Sequence, residues 1–216
     1  MKAYLQASEV IDHQHPEVLA LARKIAAAPM NESIAPEGKL LRIAEACFEW
    51  VRDEIHHSYD YQLNPVTCRA SEVLRHRTGY CYAKSHLLAA LLRANGIPAG
   101  FCYQRLSVND QGVPYSLHGF NAVYLPESGW YRVDARGNRS GINAQFTPPQ
   151  ERLAYKIRLP EEADFPAILP EPLPIVVNAL QSHKTWNALL KQLPDVPLQD
   201  ANRYGLNAEL QRFSLL

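Results

Sequence analysis

Long apolar runs are missing from this 216-residue chain, and no stretch is apolar over the length that a membrane-spanning helix requires. An excess of charge is missing too. Lys plus Arg and Asp plus Glu both number 22, and a formal net charge of zero gives no broad electrostatic grip on nucleic acid. Cysteine is scarce: Cys47, Cys68, Cys81 and Cys102 form no CxxC or CxxxC pair. The spacing of a zinc site is therefore absent, and no metal or cofactor is expected. Met1 to Asp12 lacks the basic start and apolar core of a signal peptide, so the expected compartment is the cytoplasm, with reduced thiols. Internal repeats and low-complexity tracts are lacking as well. What remains is 47% hydrophobic and 20% charged, the composition of a globular chain long enough to bury a core without disulfides.

Periodicity places helices first. Pro16–Ala28 reads as a helix opened by proline and closed before Pro29. Pro36–Ile55 repeats Leu40, Ala44, Cys47, Val51 and Ile55 at helical spacing, with charged residues mostly off that stripe. A short helix over Glu72–His76 is expected, with Ser71 as its cap. Tyr82–Ala94 is strongly helical, and Asn95-Gly96 followed by Pro98 ends it. The character then changes to strands over 99–108, 117–125 and 130–134, with turns at Asn109–Gly112 and Pro126–Gly129. Helices followed by an antiparallel meander argue for an α+β fold. Beyond about residue 145 prolines break up regular structure, up to Pro174. We divide the chain into a core, 1–144, and an arm, 145–216, with a C-terminal helix over Ile175–Leu193 and a weakly helical tail. The arm is expected to cap the core rather than to shape a groove.

Cys81 stands at the start of the 82–94 helix. Free N–H groups and the positive end of the helix dipole favour a thiolate there, the reactive form of cysteine. Gly79 permits a tight turn before it, and the Cys81 N–H could meet an oxyanion. Taken alone, a cysteine before an apolar helix more often simply packs at the helix end. His118 opens one strand and Asp134 closes the next. A turn centred near Glu127–Ser128 sets them directly or diagonally opposite, within reach on one face, while a register shifted by one residue would part them. A carboxylate so placed fixes the imidazole tautomer and leaves the other nitrogen for the thiol. Singly, His118 could be a surface histidine and Asp134 a turn residue. Cys47 and Cys102 read as buried fillers and Cys68 is ambiguous. The remaining histidines, His56-His57 and His86 among them, find no comparable partner.

Three blocks then resemble the transglutaminase-like superfamily, particularly its bacterial members described as cysteine proteases. They are Thr78-Gly79-Tyr80-Cys81 with the helix running to Gly96-Ile97-Pro98, His118-Gly119-Phe120-Asn121, and Gly129-Trp130-Tyr131-Arg132-Val133-Asp134. The resemblance implies a papain-like core in which a helix bearing the cysteine packs on an antiparallel sheet bearing His and Asp. It implies Cys81 as nucleophile, His118 as base and later acid, and Asp134 as the orienter of the histidine. Phe120, Ala122 and Ala135-Arg136 depart from the family's frequent Trp, acidic residue and Pro-Thr. Tyr59 or Tyr61 stands where the family tends to place the side-chain member of the oxyanion hole.

The expected chemistry is acyl transfer from an amide of a peptide or protein through a thioester, with hydrolysis preferred over transfer to an amine. One rival is an arylamine N-acetyltransferase-like reaction, which the absence of a double glycine before Cys81 disfavours. The other is an interaction module with a vestigial triad. Neither nucleic acid nor membrane is expected as a partner, and the sequence does not specify an oligomeric state.

Overall fold

The computed structural model describes residues 1–207. The weakly helical tail expected at the end falls partly beyond 207, outside the described residues. The first helix, α1 (Pro16–Met30), runs past Pro29, because a proline in the last turn removes only one hydrogen bond. It is followed by α2 (Pro36–Glu54). The short strand β1 (His56–His57) then leads into a single turn of helix, α3 (Ser58–Tyr61). Next come α4 (Ala70–His76), the strand β2 (Thr78–Gly79) and α5 (Cys81–Ala94). Ser71 lies inside α4 and does not cap it. Its backbone N–H is taken by Asp12, while the Glu72 carboxylate accepts from the N–H groups of Cys68 and Arg69 and closes the helix start.

The centre of the molecule is α5. Its sequence holds no β-branched residue, and Leu87, Leu88, Leu91 and Leu92 are all buried. Each such side chain contributes roughly 1.5–3 kcal/mol by leaving water. The sequence pattern indicates an apolar face, but α5 is buried all round, packed by α1, α2, α4 and the sheet. Its buried basic side chains are met by carbonyl oxygens. Lys84 donates to the carbonyls of Arg52 and Ile55 at the end of α2, and Arg93 to those of Gln6, Ala99 and Pro170. Gly96 adopts a positive φ of 72° and ends the helix.

The meander follows as β3 (Ala99–Ser107), β4 (Tyr115–Leu125) and β5 (Gly129–Val133). A strand from the arm, β6 (Ala163–Asp164), pairs with β3, giving the antiparallel order β5-β4-β3-β6. The architecture is α+β, a helix carrying Cys81 laid against an antiparallel sheet. The expected C-terminal helix is two pieces, α6 (Pro174–Ser182) and α7 (Trp186–Leu190). Docking on the loop before α4 breaks it: Val66 N–H donates to the Lys184 carbonyl, and Trp186 N–H to the Asn64 side chain. Among the described residues, no helix is long and apolar enough to cross a membrane.

Candidate active site

Register decides where the polar residues of the meander go. Leu125 pairs with Gly129 and Asn121 with Val133, so Asp134 falls diagonally across from His118 on the same sheet face. The His118 Nε2 and the Asp134 Oδ2 are 2.7 Å apart. The same carboxylate accepts the backbone N–H groups of Arg136 and Ala154, each at 3.1 Å. Burial opposes charge on Asp134, but the His118 cation and these donors together hold its carboxyl below the usual range. Burial likewise opposes the imidazolium of His118. The Asp134 carboxylate and the Cys81 sulfur outweigh it and hold the pKa well above the ordinary 6.5.

Cys81 is the first residue of α5, after an extended Tyr80. Its sulfur and the His118 ring line the same cavity. With Nε2 committed to Asp134, Nδ1 is the ring nitrogen left for the thiol. Close packing brings the two elements together. A Cβ on Gly119 would lie 2.9 Å from the Tyr82 ring, so only glycine lets β4 come so near the first turn of α5. The Tyr82 hydroxyl donates to the Leu117 carbonyl, and the Asn121 amide donates to the carbonyls of Ser85 and Gly100. Gly79 serves a similar end. It forms no left-handed turn, and a Cβ there would meet Ala83 at 3.1 Å and Thr67 at 3.3 Å.

Cys81 and His118 line one cavity of about 210 Å³. The other cysteines do not line it, and burial pushes the thiols of Cys47 and Cys68 up to about 12 and that of Cys102 up as well. Tyr59 lines the cavity and Tyr61 does not, being 59% exposed and packed on His56. His57 was passed over by sequence reasoning but lines the cavity. The parallel pairing of β1 with β2 sets it beside Gly79, two residues before Cys81. Burial, then the nearby charges of Arg136 and Lys84, lower its pKa well below 6.5, so it is neutral. His86 lies in the core, with Nδ1 2.7 Å from the Cys68 carbonyl. Arg136, read as a departure from the family, lines the cavity with its guanidinium paired to Asp60.

The arm is more than a cap. Tyr155 sets its ring edge-on to His118 at 4.8 Å, and Lys156, Arg158, Leu190 and Leu193 complete the wall. Leu153 and Ile168 pack on Phe120, Ala122 and Cys102, on the sheet face that carries His118. No periodicity in a proline-broken segment marks which of its residues face the site.

A search of curated sequences gave no match. Among solved structures, a proposed cysteine protease from Cytophaga hutchinsonii is 20% identical over 62% of this chain and 40% of its own, with a TM-score of 0.43. The periplasmic domain of TgpA from Pseudomonas aeruginosa is 23% identical over 61% and 45%, with a TM-score of 0.41. The chain thus spans less than half the length of either structure. The sequence model of the Transglutaminase-like superfamily matches residues 22–135, just over half of the chain and all three motif blocks. The chain belongs to the transglutaminase-like superfamily.

Proposed function

We propose that the protein is a cysteine hydrolase acting on amides of peptides or proteins, with Cys81 as nucleophile, His118 as acid and base, and Asp134 as the orienter of His118. One observation carries this reading: the buried His118–Asp134 pair, 2.7 Å apart, lines the same cavity as the thiol at the start of α5. The Cys81 thiolate attacks the amide carbonyl and a carbon–sulfur bond forms. The resulting oxyanion meets the N–H groups at the start of α5 and the neutral His57, the donors at hand. As the intermediate collapses the carbon–nitrogen bond breaks, and the imidazolium gives its proton to the departing amine. His118 then takes a proton from water, whose oxygen attacks the thioester. The carbon–sulfur bond breaks, the acid leaves and the thiol is restored. The four free cysteines suit a reducing compartment such as the cytoplasm.

Hydrolysis is preferred over transfer because water at bulk concentration resolves a thioester unless an amine is held in line. Incubating the enzyme with glutamine-containing peptides, with and without a primary amine, separates the outcomes by mass. Cleavage or deamidation is expected. Efficient amine incorporation at low amine concentration would instead make the protein a transglutaminase.

A further inference from the structure

We infer that the substrate carries a carboxylate, received by Arg139, Lys156 and Arg158 on the cavity wall. The inference rests on the thiol chemistry proposed above and adds the substrate class. The whole chain is electrically balanced, with 22 basic and 22 acidic residues, but the wall beside Cys81 is not. It bears Arg136, Arg139, Lys156 and Arg158 against Asp110 and Glu162.

The two acids are poor counterions for these groups. Glu162 is consumed by backbone, its oxygens accepting the N–H groups of Ser107 at 3.0 Å, Arg158 at 2.7 Å and Leu159 at 3.0 Å. Asp110 approaches the Arg158 guanidinium only to 3.7 Å, and both side chains are largely exposed. Behind the wall, Asp60 is engaged by Arg136, which is thereby fixed as scaffold. Arg139 reaches the same carboxylate through Nε alone, at 3.5 Å, with half of its side chain exposed. Lys156 forms no ion pair among the described residues.

Contacts this long and this exposed are weak and yield to a better partner. An arginine with a loose single contact retains its terminal nitrogens for two-point capture of a carboxylate. The same cavity is also lined by Leu106, Leu117, Leu190 and Leu193, which are apolar. The cavity therefore suits an acyl donor that carries both apolar groups and a carboxylate. That carboxylate comes from an Asp or Glu side chain or from a free peptide C-terminus.

The test compares matched peptide amides: one with Glu near the scissile bond, one with Gln in its place, and one with a free rather than amidated C-terminus. At low salt we expect kcat/KM about tenfold higher for whichever carboxylate is recognised, with the ratio shrinking at high salt. The Arg139→Gln/Lys156→Gln/Arg158→Gln variant should bring the ratio towards one. Equal kcat/KM for all peptides, or a preference that survives the triple variant, overturns the inference and leaves the hydrolase reading intact. Binding of the same peptides to Cys81→Ala, followed by calorimetry, separates the two. If the carboxylate peptide binds preferentially but the unmodified enzyme turns over none of them, the inference stands and the hydrolase reading fails. Equal binding of acidic and neutral peptides overturns the inference irrespective of turnover.

Discussion

Along β4, Gly119 and Asn121 meet α5, while His118, Phe120 and Ala122 face the arm. Both faces are buried, but they are buried for different purposes. The α5 face is built for contact: a glycine with no room for a methyl and an amide bonded to two carbonyls. The arm face is built for charge: a histidine held cationic by a buried carboxylate beside a cavity. Because the strand alternates, one run of residues both fixes the helix that carries the thiol and sets His118 at the cavity that the thiol lines. Before Asn121, β4 has no partner in β5, and the arm takes its place, with the Leu117 N–H donating to the Pro194 carbonyl.

The two faces should fail in different ways. On the charge face, Asp134→Asn should slow turnover by about 10⁴-fold, since an amide favours the wrong histidine tautomer. It should leave the circular dichroism of the folded protein unchanged. Full activity in that variant would reassign Asp134 to structure. On the contact face, Gly119→Ala must move Tyr82 or β4, because the added carbon would sit 2.9 Å from the Tyr82 ring. Crowding of this sort costs roughly 1–3 kcal/mol. We expect a lower Tm and a loss of activity of about 10- to 100-fold from a displacement of ~1 Å at the site. A variant as stable and active as the parent would show that the close approach is not what aligns the site.

The smallest effect is on stability against pH. His118 has a raised folded pKa, so its contribution is complete below pH 6.5 and is lost as pH rises through that folded value. Asp134 has a lowered one, so its contribution is present above its ordinary 3.8 and is lost as pH falls through the folded value. The Tm advantage of the parent over His118→Gln should therefore be greatest near pH 5–6 and narrow by roughly a few degrees towards pH 9. An advantage that grows as pH rises would contradict the charge assigned to His118.

Much of this site was legible because its parts obey local rules. Leucine-rich helical spacing located α5, and a turn signal at 126–129 set the register that makes His118 and Asp134 diagonal neighbours. The pieces that escaped depend on tertiary paths. His57 enters the cavity through a two-residue pairing with Gly79, too short for any pattern to announce. Residues 175–193 read as one helix, but the loop around Asn64–Val66 takes the backbone groups at Lys184 and Trp186 and divides it. Tyr155 and Lys156 lie in an arm without periodicity. Arg136 was visible only as a departure from the family pattern, whereas its place on the cavity wall is held by pairing with Asp60.

The central claim is that Cys81 is an activated thiol and the other three cysteines are packing. It is tested most directly by brief iodoacetamide labelling at neutral pH, followed by peptide mapping of the parent and of His118→Ala. Cys81 should label first in the parent, well ahead of Cys47, Cys68 and Cys102, whose thiols burial pushes up. Its lead should shrink when His118 is removed. Earlier labelling of any other cysteine, or a Cys81 rate indifferent to His118, would contradict the account.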